Sequence, residues 1–387
     1  MQNSANGGAA GSEFRSKFFN ELLRDCYEFQ ERNTDFVCAR IGGVEKVKRI
    51  VKDKVLALLS AGGFVRRPHD VAMPSHVLLS TLDRLDGLER TYRLLRDDYS
   101  RRMLLDILRF RILGGRHVKL PLNDESFWAE YHSVDARFLK KRRTVENGQA
   151  WDFHLYELPE ERGGPVALHS NAMGVLQTFL LEQYAYRRID PPIRARQGDV
   201  VIDGGGCWGD TALYFAAQVG ARGEVYCFEF EPHNLNVLRQ NLALNPSLEG
   251  VVKIVPNAMW DESDHALGYD PNGPATTVAL GQEGQPAGAQ VATLSIDDLV
   301  GRQSLAKVDF IKMDIEGAEL NALKGAEQTL RDFRPTLAIS VYHRPDDLVA
   351  IPDYLDGLGL GYEFFLDQFT IYGGETVLFA RPEPRSG

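Results

Sequence analysis

DVVIDGGGCWGDTALYFAAQ, residues Asp199–Gln218, is the stretch on which the fold turns. An apolar run, Val200–Ile202, ends in Asp203 and is followed by Gly204, Gly205 and Gly206; after Gly209 and Asp210 the apolar spacing becomes helical. That pattern predicts a buried strand, a glycine turn and a helix. Gly204-x-Gly206-x-x-Gly209 has the spacing of the dinucleotide fingerprint, and Glu229 ends the next expected strand about 20 residues on. Glycines in such a turn let a ligand meet bare backbone where a Cβ would clash. A plain turn with Asp210 as helix cap is the simpler alternative.

From Asp199 onward strands and helices alternate. VVIDG, EVYCFEF, VVKIVPNAM, VDFIKMD and PTLAISVY read as strands, with helical segments between most of them. This alternation implies right-handed crossovers and a mainly parallel sheet covered on both faces. GYEFFLDQF and ETVLFARP, near the end, are separated only by TIYGG, too short for a crossover helix, so they must run antiparallel or belong to separate sheets. Residues 261–290, rich in Gly, Pro and Ala, are expected to form a long loop, either a lid or unstructured.

Upstream, FRSKFFNELLRDCYEF, VEKVKRIVKDKVLALLS and LERTYRLLRDDYSRRMLLDILRFRIL repeat apolar residues at helical spacing. The chain is thus expected to divide into a leader or tag at 1–12, a mainly helical region at 13–165 and an α/β domain at 166–387. Within the helical region 116–165 reads as irregular, whereas SNAMGVLQTFLLEQYAYRRI, at 170–189, reads as a helix. No apolar run reaches about 18 residues, so no membrane span is expected. The first residues lack a charged n-region and an apolar h-region, and the four cysteines are scattered, which together point to a cytoplasmic protein with free thiols.

Net charge is −10 but unevenly spread: residues 1–165 carry 28 Lys and Arg against 24 Asp and Glu, the remainder 16 against 30. The half with the glycine turn is the acidic one, which disfavours nucleic acid as a partner. In DPPI, Asp190–Ile193, the isoleucine offers no π-face for a flipped base, so the stretch reads as a helix terminator.

A dianionic diphosphate would be repelled by Asp203 and Asp210, on either side of the turn. They suit a ligand with a ribose for Glu229 and positive charge for Asp203, which describes S-adenosylmethionine. In a second cluster, FIKMDIEGAE, Asp314 and Glu316 follow a strand end, where open α/β sheets bind ligands. Asp314, Glu316 and His343 are candidate proton acceptors for attack by an alcohol, His343 being the better base because it titrates nearest neutrality. Glu319 reads as a first-turn helix stabiliser. The same carboxylates could ligate a divalent metal, a reading not favoured because no Asp-Asn or Asp-Asp pair follows Asp314.

VVIDGGGCWGDTALYFA, VYCFEFEPHNLNVLRQNLALN, VDFIKMDIEGAELNALKGAEQTL and LAISVYHRPDDLVAIPDYL together resemble the FkbM-type S-adenosylmethionine-dependent methyltransferases, of the class I methyltransferase fold. The resemblance covers most of 199–382. It implies a Rossmann-like seven-stranded sheet with a terminal antiparallel hairpin, and O-methylation of a sugar, glycolipid or secondary-metabolite hydroxyl. It also implies that Asp203, Gly204, Gly205, Gly206, Gly209 and Asp210 line the cofactor, that Glu229 takes the ribose beside Phe230, that Asn257 and Ala258 edge the adenine, and that Asp314 meets the cofactor amine or the acceptor. Cys207 departs from the pattern by replacing a glycine, and Glu231 rivals Glu229. Gln183 and Tyr184 either cover the methionine end or only pack. An NAD-dependent oxidoreductase and a non-catalytic scaffold are the alternatives. The helical region leaves open an acceptor cap, a homodimer or a partner surface.

Overall fold

The computed structural model describes residues 3–27, 75–115, 117–145, 153–159, 165–248, 250–270, 276–279 and 289–383. Cys38 and the expected helix over 44–60 lie outside them. Helix α1 (Asn3–Tyr27) takes in most of the stretch expected to be a leader. Helices α2 (Ser75–Asp83), α3 (Leu85–Leu94), α4 (Asp98–Leu113) and α5 (Glu125–Phe138) follow. Asp97 and Asp124 cap α4 and α5 by accepting from the Ser100 and Phe127 amides.

Residues 116–165 are more regular than expected. After α5 come β1 (Leu139–Val145), β2 (Phe153–Leu158) and β3 (Val166–Ser170), which form an antiparallel three-stranded sheet. Its edge strand β3 is tied to a helix by asparagines. Asn241 Oδ1 accepts the His169 amide at 2.6 Å and Asn245 Oδ1 that of Ala167 at 2.9 Å, and their side-chain amides return to the same residues' carbonyls. Two side chains thus stand in for a fourth strand, a pairing set by tertiary contact and invisible to local pattern.

The expected helix over 170–189 breaks up. It is helical only over α6 (Ala172–Val175) and a π-helical turn at Leu176–Leu180, after which Glu182 adopts φ 53°.

The main sheet contains β4 (Val200–Gly204), β5 (Glu224–Phe228), β6 (Val252–Val255), β11 (Phe310–Met313), β12 (Thr336–Ser340), β13 (Tyr362–Gln368) and β14 (Thr376–Pro382), in the order β13-β14-β12-β11-β4-β5-β6. β4, β5, β6, β11 and β12 are parallel, while β14 runs antiparallel to both β12 and β13. This is the sheet of the class I methyltransferase fold. The helices between its strands are α7 (Asp210–Val219), α8 (Pro232–Ala243), α9 (Ile296–Gln303), α10 (Glu319–Lys324), α11 (Glu327–Phe333) and α12 (Asp347–Gly357). β4 is buried at every position, which is why VVI reads as an unbroken apolar run. Strand order reverses between β4 and β11, making the crevice beyond their carboxyl ends the topological switch point.

Residues 261–290 are not a bare loop. They contribute β8 (Ala266–Asp270), β9 (Thr277–Ala279) and β10 (Ala289–Leu294), which with β7 (Ala258–Met259) make a four-stranded sheet in the order β7-β10-β8-β9. The N-terminal helices share the core of the main sheet: Leu88, Leu95, Met103 and Ile107 pack in one cluster with Ile202, Ile311, Ile339 and Leu378. No helix among the described residues is long and apolar enough to cross a membrane.

Candidate active site

The glycine turn sits where β4, β5 and β11 converge. Gly205 has φ +80°, and a Cβ there would lie 1.9 Å from the Asp314 carbonyl oxygen; a Cβ on Gly206 would lie 2.1 Å from Cys227 Sγ. Any side chain at either position would force the turn away from its neighbouring strands. Cys207, where a glycine was expected, adopts φ 45°, so the turn keeps its shape despite the substitution.

Two cavities meet here. The smaller is lined by Gly205, Cys207, Glu229, Phe230, Asn234, Asn257, Ala258, Asp314 and Glu316, among others. The larger, of about 570 Å³, shares Gly205, Cys207, Asp314 and Glu316 and adds Trp128, Tyr131, Asp210, Lys312, Tyr342 and Glu375. Gly204, Gly206 and Gly209 line neither cavity; their missing side chains serve packing against Met259, Cys227 and Leu238. Asp210 lines only the larger cavity, where it accepts the Thr178 hydroxyl at 3.1 Å.

The expectation for Asp203 is corrected. It lies beneath the turn, fully buried, with Thr211 Oγ1 donating to it at 2.8 Å and Lys312 Nζ 3.0 Å away. Lys312 Nζ also donates to the Gly204 and Gly205 carbonyls at 2.9 and 2.7 Å. A carboxylate neutralised in this way neither greets a cationic ligand nor repels a diphosphate. The acids that line the two cavities are Glu229, Asp210, Asp314, Glu316 and Glu375.

Glu229 and Glu231 have separate tasks. Glu231 caps α8 by accepting the Asn234 amide at 2.7 Å and lines neither cavity. Glu229 Oε1 accepts the Phe230 and Glu231 amides at 2.6 and 2.7 Å, and Oε2 accepts Asn234 Nδ2 at 3.2 Å. Burial pushes its carboxyl up to about 7, against the pull of those donors. Phe230 meets Tyr269 of β8 edge-on, their centroids 5.1 Å apart, so the second sheet braces this wall.

Asp314 is the shared wall. Its Oδ2 accepts Tyr184 Oη at 2.8 Å and its Oδ1 accepts Tyr342 Oη at 3.1 Å. Burial, and then Asp314 itself, hold both phenols well above their ordinary value, so both remain donors. Tyr184 and Gln183 both line the larger cavity, Gln183 donating to Glu375.

His343 is not poised as a base. Its Nδ1 lies 2.8 Å from Glu319 Oε1, and its Nε2 lies 3.3 Å from Asp314 Oδ1 and 3.6 Å from Glu316 Oε2. Burial alone would push the ring down, but the carboxylates of Glu316 and Glu319 and the charge of Asp314 reverse this and raise it to about 11. At neutral pH the ring is an imidazolium with no lone pair, and it lines neither cavity. Glu319, fully buried at the start of α10, also accepts the Ile315 amide at 2.9 Å. Asp314, Glu319 and His343 bring ligand atoms within 4.8 Å of one another, the spacing of a cation cluster.

Sequence reasoning missed Lys312, Tyr342, Glu375, Trp128 and Tyr131. Lys312 alone left a signal, as a lysine inside a strand otherwise apolar and buried, which demands a partner.

The methyltransferase FkbM domain model matches residues 193–364. Methyltransferase sdnD of Sordaria araneosa is 26% identical over 157 residues, covering 33% of this chain and 60% of that protein. A crystal structure of methyltransferase FkbM from Methylobacillus flagellatus KT is 20% identical, covering 78% of this chain and 60% of that one, with a TM-score of 0.48. Aeropyrum pernix fibrillarin, solved with natively bound S-adenosyl-L-methionine, is 14% identical over 62% of this chain and 98% of that one, at a TM-score of 0.32. This chain thus spans about 60% of the length of the first two. The match to the methyltransferase FkbM domain thus covers residues 193–364, under half of the chain, and the main sheet runs past it into the reversed hairpin β13–β14.

Proposed function

We propose that the smaller cavity binds S-adenosylmethionine and that the larger receives an acceptor hydroxyl, on a sugar, glycolipid or secondary-metabolite alcohol. One observation carries the reading: the two cavities share Gly205, Cys207, Asp314 and Glu316 at the switch point of the sheet. Transfer between two ligands requires such a junction, where reacting atoms are held in line.

The residues suit the cofactor. Gly205 presents bare backbone, Glu229 offers a carboxylate to ribose hydroxyls, and Phe230, Asn257 and Ala258 line the same cavity. When bound, that group supplies a methyl on a positively charged sulfur. The carboxylates of Asp314 and Glu316 favour positive charge at the junction. Tyr184 and Tyr342 each donate to Asp314 and so fix its direction. With His343 protonated and both oxygens of Asp314 engaged, Glu316 is the expected proton acceptor still open to both cavities. Its backbone sits at φ 56°, a strained position of the kind kept at working sites.

Calorimetry with S-adenosylhomocysteine and with NAD tests the cofactor, and transfer of labelled methyl to an alcohol panel tests the reaction. Binding of NAD in place of S-adenosylhomocysteine would overturn the proposal. So would tight cofactor binding with no methyl transfer to any alcohol, which favours a scaffold.

A further inference from the structure

The larger cavity has acidic side chains that the smaller one does not share. Asp210 and Glu375 line the larger cavity only. Among the described residues neither takes part in an ion pair: Asp210 is met by the Thr178 hydroxyl and Glu375 by the Gln183 side-chain amide, both neutral donors. The one Lys or Arg on the cavity wall, Lys312, is engaged by Asp203 and two carbonyls.

Glu375 is held firmly in place. It sits at φ 59° at the end of the β13–β14 turn, with its carbonyl accepting the Phe369 amide at 3.0 Å. Gln368 and Thr370 donate to the Tyr372 carbonyl, each at 2.7 Å, and Thr376 Oγ1 returns to Gln368 at 2.6 Å. A left-handed non-glycine residue on a turn braced from within is a built feature. Burial, and then the charge of Asp314, push its carboxyl up to about 8 although His343 pulls the other way, so at pH 7 an ammonium placed beside it would draw it into its carboxylate form.

Aromatic rings form another part of the same wall. Trp128 and Tyr131 project from α5, edge to face with centroids 6.1 Å apart, and Trp128 Nε1 donates to Asn123 Oδ1 at 3.0 Å, which fixes its ring. Ring faces beside unmatched carboxylates attract a cation from two sides and stack on the C–H faces of a sugar. An anionic acceptor, whether a phosphate or a uronate, would instead confront Asp210, Asp314, Glu316 and Glu375 together.

Resting on the methyl-transfer reading above, we propose that the acceptor carries an ammonium group beside its hydroxyls, as an amino sugar or amino alcohol does, and that Glu375 selects for that charge.

The test is titration of the full chain, loaded with S-adenosylhomocysteine at pH 7, with glucosamine, glucose and glucose 6-phosphate, read by ligand-observed NMR. Glucosamine should bind at least tenfold more tightly than glucose, and glucose 6-phosphate should not bind. Glu375→Gln should bring glucosamine to within about twofold of glucose and leave S-adenosylhomocysteine affinity within about twofold of wild type. Glucosamine binding no better than glucose or not at all, binding of the phosphate, or an unchanged preference in Glu375→Gln would each overturn the proposal. Should that variant fail to fold, the wild-type comparison of the three sugars still decides. Failure of S-adenosylhomocysteine to bind in the loading step is seen separately, and it strikes the methyl-transfer reading instead.

Discussion

Lys312 Nζ lies 3.0 Å from Asp203 Oδ1, and the two side chains are 1% and 0% exposed. The pair joins neighbouring strands, β11 to β4, directly beneath the glycine turn, and Lys312 also bonds the first two carbonyls of that turn. Removing one partner would leave a bare charge in the core. Lys312→Met should therefore destabilise the fold by about 3–5 kcal/mol, measured by urea unfolding, and the double change Asp203→Asn with Lys312→Met should recover part of the loss. Stability within about 0.5 kcal/mol of wild type in Lys312→Met would show that the pair contributes little.

On the proposed reading, Glu229 should link cofactor affinity to pH. Burial raises its carboxyl to about 7, and a carboxylate accepts from hydroxyls better than the protonated acid does. Affinity for S-adenosylhomocysteine should rise as pH goes from 6 to 8. Glu229→Gln should flatten that rise and weaken binding at pH 8 by roughly tenfold or more, the size expected of a charged hydrogen bond. Calorimetry across that range decides it, and a parallel rise in the variant would point to another group.

His343 should appear in stability rather than in turnover. The folded ring titrates at about 11, above its ordinary 6.5. A raised histidine stabilises fully below its unfolded value, and that contribution is lost as pH climbs toward the folded one. Between pH 7 and 10 the wild type should lose stability faster than His343→Asn, by up to about 1.4 kcal/mol per pH unit. Equal slopes in the two unfolding series would mean that the ring is neutral in the fold.

Gly206 is fixed by its neighbour. An added Cβ would lie 2.1 Å from Cys227 Sγ, so Gly206→Ala should destabilise by about 1–3 kcal/mol through overpacking. Cys227→Ala in the same chain should relieve much of that cost, as thermal unfolding of the single and double variants will show.

Much of the architecture was legible locally. The alternation after Asp199 and the glycine turn predicted a mainly parallel sheet, because strand period and helix period are properties of neighbouring residues; the short TIYGG connection left an antiparallel pair or separate sheets open, and the family resemblance implied the reversed hairpin. The three-stranded sheet at 139–170 was not, since β1 and β2 are ragged in register and β3 finds its outer partner in Asn241 and Asn245, more than 70 residues away. Residues 261–290 were misread for a similar reason: β10 pairs with β7 and β8, and that pairing supplies the order the composition hides.

Within the site, the sequence led to the expectation that acids, bare glycine backbone and a glutamate suited to a ribose gather at the ends of β4, β5 and β11. Which acid is free and which is spent was decided by the tertiary structure. The crossovers bring Lys312 under Asp203, three carboxylates around His343, and Glu375 into a cavity beside Asp314. A side chain's charge state follows from its burial and from the charges across from it, and those partners come from strands far apart in the chain.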